Sequence, residues 1–320
     1  MARGLMINFL PPDEQAEWVR RAEAAGFDEV WHEGGLVHAT AAVLASRRAP
    51  IGIGILTVYN YEPAIVASAA RLLQGLANGR FRLGVGAATM PDAALLFPRD
   101  RSHGAARLAE WVELMRRYFA GEPGPFRGQF FRVDILGKQP PVEVPIAVGA
   151  LTPTMLRMAG RVADRVAGHP FWPARWAREV ILPAVAAGAA EAGRPRPPVS
   201  GWIFTAVGPD RQVCRDDVRR YYARAIQGEP AKLDAIARHL GWDRAFAAVR
   251  EALPSGDTNA AFAALSDELI DELAITGPPA EARRQFAERW EGLYDVPVFY
   301  TPGGPRVNAY LAGAIEAFGE

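Results

Sequence analysis

Apolar residues along this chain fall into two alternating patterns: short unbroken runs, and longer segments where they return every third or fourth position. The runs suit strands buried on both faces, and the longer rhythm suits helices with one face on a core. Residues 51–89 hold one full cycle. Ile51–Leu56 is a glycine-threaded, β-branched run, Pro63 fits the first turn of a helix, and Phe81–Val85 is a second run leading into Gly84-Val85-Gly86. Between them Ile65, Ala69, Leu72, Leu73 and Leu76 predict the buried stripe of that helix, which Asn78-Gly79 ends. Two buried strands joined by a helix pair in parallel and cross over right-handed.

The cycle recurs along the whole chain. Gly4–Phe9 is a first strand, and Pro11-Pro12-Asp13-Glu14 opens a helix with an acidic first turn that Gly26 closes. Phe27–Trp31 is the second strand, leading to His32-Glu33-Gly34-Gly35, and a short helix over about Ala39 to Arg47 returns to the third. After the fourth, Arg107–Phe119 is amphipathic and Gly121–Gly137 breaks the rhythm as a small insertion. Val144–Gly149 and Arg165–His169 are strands five and six, with Thr152–Arg161 as the helix between them. Trp202–Val207 is strand seven, residues 226–273 are a helical excursion, Val296–Tyr300 is strand eight and Asn308–Phe318 closes the chain. Eight alternations without a composition break predict an α/β chain folded as a single (β/α)8 TIM barrel over 1–320, with small insertions before strand five and between strands seven and eight. Ligands of such barrels sit beyond the carboxyl ends of the strands, here Gly54-Ile55-Leu56-Thr57 and Gly86-Ala87-Ala88-Thr89 among others.

Composition narrows the function classes. Lys and Arg total 36 and Asp and Glu 36, so no global basic field speaks for a nucleic-acid partner. A lone cysteine, Cys214, excludes an internal disulfide and a multi-thiolate metal site. No apolar run approaches the ~20 residues of a membrane span, and no leader pattern opens the chain, so a cytoplasmic enzyme is expected. No His/Asp/Glu spacing matches a metal motif, and no G-x-S-x-G elbow is present. Gly84-Val85-Gly86 hints at a dinucleotide fingerprint, but Thr89 stands where the third glycine belongs.

The segment Asn78-Gly79-Arg80-Phe81, with Leu83, Gly84 and Gly86, matches an N-G-R-F-x-L-G-x-G pattern position by position. With Pro145–Gly149, Met158-Ala159-Gly160, Ala163-Asp164 and Ile275–Glu281 in the same order, the chain resembles the bacterial-luciferase-like superfamily of flavin- and deazaflavin-dependent oxidoreductases. The resemblance covers most of the chain and implies a dimer acting on a small molecule. It also implies a strand-three bulge at Gly54-Ile55 with a non-prolyl cis peptide behind the ring. Such a bond costs roughly 3–4 kcal/mol and persists only where its surroundings enforce it. The bland alternative is that Gly52 and Gly54 only let a strand and a helix approach closely.

Gly149-Ala150-Leu151-Thr152-Pro153-Thr154 closes a strand and opens a helix, where free N–H groups and the helix dipole favour an anion. The resemblance places the cofactor phosphate there; an ordinary cap by Thr152 with Pro153 at the first helical position explains the same residues. His32, Glu33 and His169 lie at strand ends and are the catalytic candidates, each with the alternative of a hydrogen-bonded wall. Tyr59, Phe171 and Trp172 are candidate substrate walls.

Two branches of the superfamily compete. FMN-dependent monooxygenases commonly carry an arginine soon after the strand-four glycines, where this chain has Ala87 and Ala88. Small residues there suit the coenzyme F420 branch, implying hydride transfer between a deazaflavin and a small organic substrate. The histidine and glutamate of that branch's sugar-phosphate dehydrogenases fall at about Gly34 and Thr89, so that activity is not implied. Arg165 replaces a glycine usual after the Ala-Asp pair. The alternatives are an FMN-dependent monooxygenase and, from another class, a flavin-binding barrel without chemistry.

Overall fold

The computed structural model describes residues 1–8, 10–87, 102–122, 124–134, 138–228 and 230–320. Its strands in chain order are β1 (Gly4–Ile7), β2 (Glu29–His32), β3 (Ile51–Ile53), β4 (Leu56–Thr57), β5 (Phe81–Gly86), a hairpin of β6 (Phe126–Arg127) and β7 (Arg132–Val133), β8 (Ile146–Gly149), β9 (Arg165–Ala167), β10 (Val199–Val207), β11 (Ala274–Gly277) and β12 (Val296–Tyr300). Parallel pairing runs β1-β2-β3-β5-β8-β9-β10-β12, and β12 returns to β1 with Gly4 opposite Val298. The eight-stranded barrel is therefore closed, with β4 continuing β3 along β5. β11 and the β6–β7 hairpin are additions that run-length reading misses; the hairpin strands have only two residues each.

Helices α1 (Pro12–Ala24), α2 (Leu36–Ala45), α3 (Pro63–Leu76), α4 (Gly104–Ala120), α5 (Pro153–Val162), α6 (Ala174–Trp176), α7 (Leu182–Glu191) and α8 (Arg211–Gly228) follow. Then come α9 (Pro230–Leu240), α10 (Asp243–Ala252), α11 (Thr258–Ala263), α12 (Asp267–Leu273), α13 (Pro279–Arg289) and α14 (Val307–Phe318). Prolines open α1, α3, α5 and α13, where the missing N–H leaves no bond unmade. None of the described helices is long and apolar enough to cross a membrane.

The face of α3 is a correction. Val66, Ala67, Ala70, Leu73 and Gln74 are buried, whereas Ile65 and Leu72 are 63% and 65% exposed. Two stripes compete on this helix, and the one carrying Ala67 and Ala70 lets it lie close against the strands. The bulkier stripe faces out.

Side chains alternate across each strand, so every second residue fills the barrel. Glu29 and Trp31 of β2 point inward: Glu29 accepts from Ser200 Oγ of β10 at 2.9 Å, and Trp31 packs 6.4 Å from Trp202. The floor is ionic. Glu29, 3% exposed, also accepts from Trp31 Nε1 at 2.8 Å and from Arg82, while Arg165 Nη1 lies 3.8 Å away and donates to Ser200 Oγ at 2.8 Å. Arg165, unusual from the sequence, thus closes the amino end of the barrel.

Candidate active site

At the other end β3 and β4 carry the bulge. Gly52 stands opposite Arg82 and Leu56 opposite Val85, so Ile53–Ile55 face only Leu83 and Gly84. One extra residue bends the strand and re-aims it. Gly84 permits this, because a Cβ there would overlap Ile53 O and lie 2.5 Å from Gly54 O. The expected cis bond between Gly54 and Ile55 is absent: all described peptides are trans. The added residue already supplies the change in direction, and Gly54 N keeps a ladder-like bond to His32 O at 2.9 Å.

Ile55 occupies what the next two glycines leave open. A Cβ on Gly86 would meet its Cγ2 at 2.7 Å, and one on Gly149 would collide with its Cδ1. Its side chain therefore lies across the ends of β5 and β8 as an apolar shelf. Ala87 continues β5 half-buried, whereas Ala88 falls outside the described residues. Beyond β8, Ala150 and Leu151 are buried and Pro153 and Thr154 exposed, so the first turn of α5 faces out beside the shelf. Thr152 caps that helix, its Oγ1 accepting from Met155 N at 3.5 Å, a long bond for a cap.

Glu33 follows Trp31 by two residues and shares its inward parity. Its Oε1 accepts a hydrogen bond from Tyr300 Oη, at the end of β12. Tyr221 of α8 stands edge-on to Tyr300 at 6.4 Å and stacks on Phe204 at 4.3 Å. On the intervening strand end Asn8 donates to Thr301 O at 2.7 Å, leaving its Oδ1 buried without a partner among the described residues. Burial, then the Glu33 charge, pushes the Tyr300 hydroxyl well above the usual phenol range. It therefore remains a donor. Sequence reasoning missed Tyr300 and Tyr221; the first ends a strand already recognised, and the second lies inside a helix with nothing to mark it.

His32 is corrected. Lying between Trp31 and Glu33, it has the opposite parity, and it is wholly buried outside the barrel. With its proton on Nδ1 the ring donates to Glu33 O at 3.1 Å, and Nε2 has no partner among the described residues. Burial, with His38 adding repulsion, pushes its pKa down to about 4. An unfolded histidine titrates near ~6.5, so below that pH the unfolded chain binds a proton the folded one refuses. Stability from this site should fall by about 1.4 kcal/mol per pH unit between ~6.5 and 4. Urea midpoints at neutral pH and near ~5 should draw closer together in His32→Phe; equal pH dependence in both proteins would refute the assignment.

His169 lies two residues beyond β9, half-buried, its Nδ1 accepting from Phe171 N at 3.2 Å. Phe171 and Trp172, expected as walls, are each only 1% exposed. Phe171 packs edge-on to Tyr222 at 4.7 Å, and Trp172 O accepts from Tyr294 Oη at 3.0 Å. Tyr222 of α8 and Phe246 of the excursion after it bury this loop, where the sequence suggested substrate walls. Tyr59 lies at the mouth in the turn Val58–Asn60, 5% exposed, with the Arg107 guanidinium 6.0 Å from its ring. The described residues hold no His/Cys/Asp/Glu group able to bind a metal.

Comparison with known proteins agrees with this arrangement. The F420-dependent glucose-6-phosphate dehydrogenase of Beutenbergia cavernae is 32% identical over 264 residues, covering 74% of this chain and 78% of that one. The 5,10-methylenetetrahydromethanopterin reductase of Archaeoglobus fulgidus is 28% identical over 319 residues, 93% of each chain. The solved coenzyme F420-dependent tetrahydromethanopterin reductase of Methanopyrus kandleri superposes with a TM-score of 0.82 at 21% identity, over 99% of this chain and 97% of its own. The family model described as luciferase-like monooxygenase matches residues 4–295. With the closed barrel, the bulge and this match in agreement, the chain belongs to the luciferase-like monooxygenase family.

Proposed function

We propose that this protein is a coenzyme F420-dependent oxidoreductase that transfers hydride between the deazaflavin and a small organic substrate. The observation that carries it is the shelf: Ile55 lies over Gly86 and Gly149, whose missing side chains leave the rim flat enough for a planar ring. The first turn of α5 beside it suits an anionic tail. Similarity to relatives named as F420-dependent glucose-6-phosphate dehydrogenases supports the same choice. Bound there, a deazaflavin supplies a carbon centre that exchanges hydride and reacts poorly with oxygen. Ile55 would support one face of a bound ring and leave the other to the substrate, so most of the barrier lowering would be positional. Glu33 takes or gives the proton that accompanies hydride transfer; His169, beyond β9, lies four strands away on the opposite side of the barrel. His32 can offer no proton across the strand.

Absorbance titration tests this. Reduced and oxidised deazaflavin should bind tightly and FMN weakly. Thr152→Ala should weaken deazaflavin binding by about 1–2 kcal/mol through a lost charge-assisted bond. Unchanged affinity would leave Thr152 as a cap only. An FMN-dependent monooxygenase is the second reading, and the family's description as luciferase-like monooxygenase favours it. Purification with bound FMN, or substrate oxidation requiring oxygen, would install it, whereas stoichiometric binding without turnover would mark a barrel that has lost its chemistry.

We also infer a homodimer, working in the cytoplasm. Five large apolar residues, Val37 and Leu44 on α2 with Ile65, Leu72 and Leu76 on α3, are 40–85% exposed on two helices that pack side by side. Concentrations of this kind mark association surfaces. Leu72→Glu should shift the light-scattering mass from dimer to monomer; a monomeric wild type would defeat the inference.

A further inference from the structure

We infer that Tyr300 is a positioning residue for Glu33, holding its carboxylate ionised and aimed at the mouth, with Tyr221 holding Tyr300 in turn. The inference rests on Glu33 as the proton-handling group.

Glu33 belongs to the loop after β2, where a free carboxylate could take several rotamers. Tyr300 removes that freedom, because its hydroxyl rises from a buried strand end and donates directly to Oε1. A phenol has a single proton. With that proton committed to Glu33, any bond between the two tyrosine hydroxyls must be donated by Tyr221. Tyr221 is half-buried, stacked on Phe204, and perpendicular to Tyr300 with an interplanar angle of 88°. That packing fixes Tyr300 from the side away from β1.

Among the described residues, Tyr221 faces the pair from α8, His32 bonds the Glu33 carbonyl, and His38 on α2 acts electrostatically on His32. Asn8 at the end of β1 is polar but carries no charge. A donor that never loses its proton stabilises the charged form of its acceptor. Burial keeps Tyr300 in that state through the working pH range. A carboxylate so held accepts the proton a substrate sheds as hydride leaves it.

Carbon-13 NMR of glutamate-labelled protein tests this without any coenzyme, with Glu33→Gln assigning the resonance. Tyr300→Phe should move the Glu33 carboxyl midpoint up by about one pH unit or more, the value of one hydrogen bond to a charged group. Tyr221→Phe should move it in the same direction by less. In the unaltered protein a slowly exchanging, downfield hydroxyl proton should be present and should vanish in Glu33→Gln. That measurement stands even if Tyr300→Phe fails to fold. An unmoved midpoint in a folded Tyr300→Phe, or no such proton in the unaltered protein, overturns the inference. Failure to bind deazaflavin with these shifts intact would instead sink the coenzyme reading alone.

Discussion

Gly84→Ala is expected to cost about 3 kcal/mol or more in stability. Its new methyl would overlap the carbonyl oxygen of Ile53 and sit 2.5 Å from that of Gly54. Both are backbone atoms of the bulge, fixed between β2 and β5, so no rotamer change relieves the contact. The bulge must flatten or the strands must part, and either loses the shelf. Gly149→Ala provides the contrast. Its methyl meets the far end of the Ile55 side chain, which can turn away. Stability should then fall by less than about 1.5 kcal/mol, while deazaflavin affinity drops because the shelf has moved. Urea unfolding of both variants, with absorbance titration of Gly149→Ala, checks the pair. A Gly84→Ala protein with an unaltered midpoint would show that the bulge is soft and that the glycine has another purpose.

The barrel was legible because its strands are short unbroken runs and its crossovers carry the helical rhythm. Strand eight, read as Val296–Tyr300, has those bounds in the structure. The carboxyl-end rule placed Gly54, Gly86, Gly149 and His169 at one end of the barrel from the sequence alone. Burial was harder to read where two faces of one helix are equally apolar. On α3 the winning stripe contains Ala67 and Ala70, whose small size decides the packing but adds little to an apolar count. His32 and Glu33 were separable in principle, since β2 alternates and Trp31 must lie inside. What no local pattern contains is the meeting of Glu33 with Tyr300, 267 residues apart. Closure of β12 onto β1 makes it, and closure belongs to the whole chain. The cis peptide failed for a related reason. It was carried over from relatives, whereas the register here absorbs the extra residue with every described bond trans.

Removing the carboxylate at the opposite end should be as damaging as filling the bulge. Glu29→Ala is expected to lose about 3–5 kcal/mol, the range for breaking a buried ion pair from one side. Arg82 and Arg165 have side chains only 20% and 16% exposed, and they would then face each other with no anion between them. Trp31 Nε1 and Ser200 Oγ would lose their acceptor as well. Glu29→Gln should cost less than Glu29→Ala, since an amide keeps the shape and one acceptor but removes the carboxylate charge that Arg82 and Arg165 share. Arg165→Gly tests the same cluster from the cation side. Arg82 still pairs with Glu29 in that variant, and the Arg165 guanidinium sits 3.8 Å from the carboxylate, beyond direct bonding. Its loss should therefore cost less than Glu29→Ala. Chemical denaturation of the three variants gives the order directly. If Arg165→Gly proved the most destabilising, the floor would depend on Arg165 filling space, and the charge argument would fail. Deazaflavin affinity, measured on whichever variants fold, should stay near that of the unaltered protein, because the floor and the mouth lie at opposite ends of the strands.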